Sequence, residues 1–147
     1  MTIAINKDRT EVALITFCEA SNASPTERRM VVHSLFNRLA LKPKYGITLA
    51  GICFKRYQFS EMNDDAVNNA NLERGANTPD NDPVMLDCAA AYDDVYQARV
   101  VLGQDDPTKG ATHYHDKSIA PPYWADPAKG AVMTLETAKF FFYANVP

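Results

Sequence analysis

The chain has 147 residues, 46% of them hydrophobic and 22% charged, with a formal net charge of −3. This length and composition are typical of one globular domain with a sizeable core, so we expect residues 1–147 to form a single domain. The acidic balance and the absence of a basic stripe disfavour nucleic-acid binding.

The cysteines and the first residues bear on the compartment. Cys18, Cys53 and Cys88 are an odd, widely spaced set without a CxxC pair, which favours reduced thiols over a disulfide framework. Residues Met1–Arg9 lack the apolar stretch of a signal peptide, and no apolar run approaches the roughly 20 residues that span a bilayer. We therefore expect a chain made in the cytoplasm without a signal peptide or a membrane segment.

The first predicted helix covers about Arg9–Ser21. Asp8 and Glu11 fit a capping box at its start. Helical spacing then places Ile15 and Glu19 on one face, with the glutamate at the edge of an apolar stripe. This placement is unusual for a glutamate that only faces solvent.

The second predicted helix begins with a strong signal: Ser24 as N-cap, Pro25 at the first helical position and Glu27 three residues after the cap. It should extend to about Leu41. The link between the two helices is only residues 22–24 long, so the helices must cross closely and hold Glu19 near the corner. The apolar residues expected on its buried face are Val31, Val32, Leu35 and Leu39.

The rest of the chain predicts a third long helix and a small sheet. Leu49–Cys53 fits a short helix or turn, and the Asn-rich segment Glu61–Asp82 predicts a polar surface loop with at most one helical turn. Asp82 followed by Pro83 opens a helix over Pro83–Leu102, which Gly103 ends. Strands are predicted over residues 111–115, 132–135 and 139–143. We expect an α+β fold, mainly helical, with its small β region in the C-terminal third.

Glu19 permits two interpretations. It could lie at the helix margin and pair with a lysine or arginine. Alternatively, apolar surroundings could keep its carboxyl group partly protonated and ready to donate near neutral pH. The second role suits cleavage of a glycosidic bond, in which the leaving oxygen must be protonated.

His113, His115 and Asp116 form the second candidate group. Strand alternation places both histidines on one face, and two histidines with a carboxylate could bind zinc. The remaining histidine, His33, lies within the second helix, so a third ligand is not obvious. We therefore favour an aromatic, hydrogen-bonding cleft wall and expect no metal. Cys18 lies in an apolar helix, with nothing nearby to activate a thiol nucleophile.

Several motifs also occur in a distinctive order along the chain. They are Leu14-x-x-x-Cys18-Glu19-Ala20, Asn37-Arg38, Gln58-Phe59-Ser60, Val100-x-x-Gly103-x-x-Asp106-Pro107-Thr108-x-Gly110-Ala111-x-x-Tyr114, Trp124 and Phe142-Tyr143. This ordered set resembles the SleB-type cell-wall hydrolases, the spore-cortex-lytic and phage-lysin catalytic domains related to lytic transglycosylases. The resemblance covers about residues 11–143.

The resemblance implies a lysozyme-like catalytic domain that acts on the glycan strands of peptidoglycan without a cofactor. It assigns the catalytic glutamate to Glu19. The residues expected to bind the sugar chain are Gln58, Phe59, Ser60 and Tyr114 from the family motifs, together with His113, His115 and Trp124. A phage lysin or a virion-associated enzyme, released from the cytoplasm to act on the wall as a monomer, is the expected biological form.

Three positions depart from the family pattern. Cys18 replaces a glycine, Ala23 replaces a second glutamate and Phe140 replaces a histidine. Without the second glutamate, a lytic transglycosylase that uses one acid is favoured over a muramidase-type hydrolase. The hydrolase would need another carboxylate to direct water, for which Asp116 or Glu61 is the best candidate. A glycan-binding domain without catalytic activity is the alternative from another class.

Overall fold

The computed structural model describes residues 6–54 and 66–147, with the backbone alone for residues 66–69. Its helices are α1 (Lys7–Ala20), α2 (Pro25–Ala40), α3 (Leu49–Cys53), α4 (Ala66–Ala76) and α5 (Pro83–Tyr96), and its strands are β1 (His113–Asp116), β2 (Val132–Glu136) and β3 (Phe140–Ala144). The prediction of a mainly helical α+β fold is confirmed, whereas its lysozyme-like character stays a prediction. Within the described ranges, no helix is long and apolar enough to cross a membrane.

Helix α1 begins two residues before its predicted start. Asn6, not Asp8, is the N-cap, because its side-chain oxygen accepts a hydrogen bond from the Arg9 backbone N–H at 3.1 Å. The predicted capping box of Asp8 and Glu11 was therefore wrong. Both residues belong to the helix itself, where Glu11 lies 3.8 Å from Lys7 across one turn.

The predicted capping box of α2 is confirmed. The Ser24 hydroxyl accepts from the Glu27 N–H at 3.1 Å, and the Glu27 carboxylate accepts from the Ser24 N–H at 3.2 Å. The other Glu27 oxygen accepts from the Thr137 hydroxyl at 2.7 Å and the Lys139 N–H at 2.9 Å. Burial raises the pKa of Glu27, but these hydrogen bonds outweigh it and leave the pKa below its usual value. The first turn of α2 is thus fastened to the connection between β2 and β3.

The segment 61–82, predicted as a loop, contains helix α4. This prediction was wrong because contacts with α1 stabilise a helix that its polar composition does not indicate. The Asn71 amide donates to the Cys18 carbonyl oxygen at 3.3 Å. Gly75 lies so close to α1 that an added Cβ would be 2.8 Å from a methyl carbon of Leu14. Gly75 and the Asn71 amide therefore permit α4 to pack closely on α1, although α4 has no apolar stripe in its sequence.

Helix α5 begins as predicted but ends earlier. The Asp82 side chain accepts from two backbone N–H groups of the first turn, at 3.0 and 3.1 Å. The α-helix ends at Tyr96 rather than Leu102, and residues 97–101 continue as a π-helical segment. Gly103 follows with a φ of +62°, in the left-handed region that favours glycine after a helix.

The three strands form an antiparallel sheet in the order β1-β3-β2, so β3 is the central strand. His113 lies opposite Tyr143 on one side of β3, and Met133 lies opposite the same tyrosine on the other. The register shifts between Met133 and Leu135, which marks a bulge in β2. The first strand, predicted to begin at residue 111, begins instead at His113, and the carbonyl groups of the two preceding residues bond to Asn37 and Arg38 of α2.

A buried polar network joins the end of α2 to the loop before β1. The Asn37 amide nitrogen lies 2.7 Å from an Asp106 carboxylate oxygen, 3.1 Å from the Thr108 hydroxyl and 2.7 Å from the Ala111 carbonyl oxygen. Asp106 also accepts from the backbone N–H groups of Thr108 and Gly110, both at 2.8 Å. Burial raises the Asp106 pKa, but these hydrogen bonds outweigh it and lower the pKa overall. The loop is therefore held to α2 by a set of buried hydrogen bonds, in addition to the apolar packing of Ala111.

The apolar core has two main parts, and Tyr114 packs against both. The first lies among α1, α2, α3 and α5, and the second lies between α2 and β3. The larger fully buried side chains of the first part are Val12, Ile15, Val32, Leu35, Ile52 and Val95. Those of the second part are Val31 and Phe142. Because Tyr114 belongs to β1, the core also supports the strand that carries the candidate site.

The variant Asn37→Ala tests the polar network. We expect the free energy of unfolding to fall by about 2–4 kcal/mol, because Asp106 and the Ala111 carbonyl group lose a buried partner. Urea denaturation followed by circular dichroism measures the change. The control is Asn77→Ala at an exposed position, which should cost less than about 0.5 kcal/mol. Equal stability of the two variants would contradict this role of Asn37.

Candidate active site

A cavity of about 320 Å³ lies between the C-terminal ends of α1 and α2, strand β1 and the 3₁₀ turn Tyr123–Ala125. It brings together Glu19 and four of the residues predicted to bind sugar. The lining residues are Glu19, Arg38, His113, Tyr114, His115, Asp116, Ile119, Pro122, Trp124 and Phe140. The other predicted residues, Gln58, Phe59, Ser60 and Glu61, lie outside the described residues.

Glu19 is the penultimate residue of α1 and is half-buried. The helix end behind it is held by Arg28, whose guanidinium group donates to the Ala20 carbonyl oxygen at 3.0 Å and the Ser21 carbonyl oxygen at 2.8 Å. Arg28 also lies 3.5 Å from Asp87 on α5. A buried cation thus satisfies carbonyl groups that a helix end leaves without partners. The position of Glu19 therefore depends on α2 and α5 as well as on its own helix.

Arg38 contributes a buried positive charge to the cavity. Arg38 is only 3% exposed, and its Nε donates a hydrogen bond to the Thr112 carbonyl oxygen at 2.6 Å. Burial lowers the pKa of Arg38, and the nearby Tyr114, Tyr45 and Glu19 groups oppose that shift. An arginine keeps its charge in such a setting, so Glu19 shares its cavity with a cation. The sequence had offered only the Asn37-Arg38 motif, without a role for its arginine.

The aromatic side chains of β1 and the 3₁₀ turn form one wall. The rings of His113 and His115 both contact Trp124, with centroids 4.9 and 6.0 Å from it. Tyr143 stacks on His115 at 5.6 Å and meets Trp124 edge-on at 5.5 Å. The two histidines therefore lie on the same face of β1, as alternation predicts, and their rings are part of an aromatic cluster.

His113 is a neutral imidazole. Its Nδ1 lies 2.8 Å from the Thr112 hydroxyl oxygen. Burial, reinforced by the positive charges of Arg38 and Lys44, lowers its pKa to about 3. A neutral ring can donate or accept hydrogen bonds at pH 7. Among the residues that the structure describes, no group of three or more His, Cys, Asp or Glu side chains could hold a metal ion.

Asp116 supplies a second carboxylate to the cavity. Its Oδ1 accepts from the Ser118 backbone N–H at 2.8 Å, and the pKa of Asp116 is lowered mainly by the N–H and the hydroxyl of Ser118. Asp116 is thus ionised at neutral pH. The aspartate named from the sequence as a partner for Glu19 does line the same cavity.

Phe140 lines the cavity at the position where the sequence departs from a family histidine. Its ring meets the Tyr114 ring edge-on, with centroids 5.5 Å apart, and Phe140 itself is buried. An apolar ring in contact with the tyrosine thus stands where the family has a titratable group. This part of the cavity lining is therefore more apolar than the family motif implies.

A cavity that combines a carboxyl group, a buried cation and an aromatic wall is suited to acid catalysis on a polar, ring-containing substrate. The chain belongs to the Cell Wall Hydrolase family, whose model matches residues 23–143. The protein is thus a peptidoglycan-degrading enzyme. The matched segment begins after Glu19, so the role of that residue rests on the geometry of the cavity. Neither the curated proteins nor the solved structures include a match to this chain.

The variant Arg38→Lys tests the buried cation. We expect kcat on peptidoglycan to fall about tenfold or more with a smaller change in KM, because lysine lacks the planar guanidinium group that reaches Thr112 and the cavity together. Turbidity loss of purified walls measures the rate, and circular dichroism checks folding. Arg29→Lys, at a half-buried arginine of the same helix, is the control and should retain activity. An Arg38→Lys enzyme as active as the wild type would contradict the assignment.

Proposed function

We propose that the protein cleaves the β-1,4 bond between N-acetylmuramic acid and N-acetylglucosamine as a SleB-type lytic transglycosylase, with Glu19 as the acid. The observation that carries the proposal is that Glu19 lines the same cavity as a cluster of aromatic rings and imidazoles. Membership of the Cell Wall Hydrolase family supports the polymer as substrate. Which bond of the polymer is cleaved, and by which mechanism, is what we add by this proposal.

In the first step, the protonated Glu19 donates its proton to the glycosidic oxygen. The bond between this oxygen and C1 of the muramic acid breaks, and its electron pair stays with the leaving sugar as a hydroxyl group. Positive charge develops on the ring that remains. Arg38 lies in the same cavity and is suited to stabilise the carboxylate that Glu19 becomes.

In the second step, the Glu19 carboxylate takes the proton of the muramic 6-hydroxyl group. The freed oxygen attacks C1 and closes a 1,6-anhydro ring, which leaves Glu19 protonated for the next cycle. One carboxyl group is sufficient for both steps, and no water enters the product. A cycle that needs one carboxyl group is consistent with Ala23 at the position of the family's second glutamate.

The aromatic wall supports sugar as the ligand. Sugar rings present apolar C–H faces that pack on aromatic rings, and hydroxyl and amide edges that need hydrogen bonds. Trp124 and Tyr114 contribute aromatic rings, while His113 contributes the ring nitrogen that is not bonded to Thr112. Gln58, Phe59 and Ser60 are proposed to complete the cleft on the strength of the family motif alone.

A muramidase-type hydrolase is the second candidate, and Asp116 is the observation that favours it. An ionised carboxylate in the cavity of the proposed acid could direct a water molecule to C1. The acid step on the leaving oxygen would be unchanged, but water would supply the new bond at C1. The two mechanisms therefore differ in their products rather than in the role of Glu19.

The variant Glu19→Gln tests the acid. We expect lysis of purified peptidoglycan to fall at least about 100-fold, because the amide cannot donate a proton to the leaving oxygen. Binding to the walls, measured by co-sedimentation, should remain, since glutamine is nearly the same shape. Glu11→Gln on the same helix is the control and should lyse normally. Unchanged lysis by Glu19→Gln would exclude Glu19 as the acid and favour a different catalytic group.

Mass spectrometry of the released fragments separates the two mechanisms. Anhydro-muramic ends that persist in the Asp116→Asn variant are the expected result, because the transglycosylase cycle needs only Glu19. Reducing ends that disappear in Asp116→Asn would establish the hydrolase instead. Asparagine keeps an oxygen that can accept from the Ser118 N–H, so the turn should survive. Free stem peptides without cleaved glycan would contradict both mechanisms.

A further inference from the structure

A second groove, of about 540 Å³, lies beside the catalytic cavity and is not used by the proposed chemistry. It is bounded by the segment 121–131 and by residues of β2 and β3. Its most prominent side chain is Tyr123, which is 78% exposed. A large aromatic residue held this far into solvent, with little to pack against, is available to a ligand.

The groove adjoins the cavity. Pro122 lines both of them. The next two residues belong to one 3₁₀ turn, and they divide between the two spaces: Tyr123 lines the groove, and Trp124 lines the cavity. Tyr143 also lines the groove while its ring contacts Trp124. A chain-like ligand that extends from the cavity into the groove would cross Pro122.

The groove combines an aromatic face with a positive charge. The Lys129 ammonium group lies 5.3 Å from the centre of the Tyr123 ring. Among the described residues that line the groove, Asp126 is the acidic one. One of its carboxylate oxygens accepts from the Ala128 N–H at 2.9 Å and so caps the adjacent turn. Lys129 is the charge that lies beside the exposed ring.

We propose that this groove is a binding subsite for a further N-acetylmuramic acid residue of the glycan strand, with its stem peptide. The sugar packs on Tyr123, and Lys129 binds a carboxylate of the peptide. This inference rests on the proposed function. The cavity alone is at the small end of the range for ligand pockets, so a polymer must extend beyond it. Every second sugar of that polymer carries an acidic peptide, which matches the pairing of ring and cation.

Binding measurements on the Glu19→Gln background test the subsite without relying on catalysis. The probes are purified peptidoglycan, measured by co-sedimentation, and the soluble glycan strands that an amidase releases from it, measured by isothermal titration calorimetry; each variant is compared with its parent on the same probe. Tyr123→Ala should weaken binding to both probes about five- to tenfold. Tyr123→Phe should bind normally, since it keeps the ring. Lys129→Gln should weaken binding to the peptide-bearing probe only.

Matched controls use similar side chains elsewhere. Tyr96→Ala on α5 and Lys109→Gln in an exposed turn should leave both affinities unchanged. The subsite is overturned if Tyr123→Ala binds as tightly as its control, or if Lys129→Gln affects both probes equally. If the proposed function is wrong, the fragment analysis will instead show uncleaved glycan. The binding comparison would still be interpretable, because it does not depend on cleavage.

Discussion

The structure depends on two adjacent side chains at the end of α2, which hold the chain where it enters β1. The Asn37 amide bonds to the Ala111 carbonyl oxygen, and the Arg38 guanidinium bonds to the Thr112 carbonyl oxygen. The next residue, His113, begins the strand that forms the aromatic wall. A helix and a strand that are more than 70 residues apart in sequence are thus held in register by hydrogen bonds to backbone oxygens, which tolerate little displacement.

Buried arginines connect this frame to the chemistry. Arg28 closes the end of α1 behind Glu19, and Arg38 extends from the frame into the cavity. Each guanidinium group is removed from water, and the free energy that this costs is offset by carbonyl oxygens and nearby acidic groups. Glu19, the proposed acid, thus lies beside a helix end that Arg28 fastens and shares its cavity with Arg38. Arg38 belongs both to the frame and to the proposed site, so we expect a change at this residue to affect stability and activity together.

Sequence reasoning succeeded where a structure depends on neighbours along the chain. The caps at Ser24 and Asp82 were predicted correctly because each needs only a side chain and the N–H groups two or three residues later. It failed at α4, whose polar residues form a helix through contacts with Cys18 and Leu14 of α1. It also chose Asp8 over Asn6 as a cap, since both residue types suit that position and only the chain path decides between them.

For the site, the sequence by itself determined that a glutamate lies at the edge of an apolar helix face beside a tight corner, and that the two histidines of β1 share a face. These features follow from helical and strand periodicity. The sequence also named Asp116 as one of two candidate partners for Glu19. Only the tertiary structure decided that Arg38 lines the Glu19 cavity, and that Tyr123 and Trp124 line different spaces. The physical reason is that these relations depend on how helices and sheet pack, and packing joins residues whose separation along the chain carries no periodic signal.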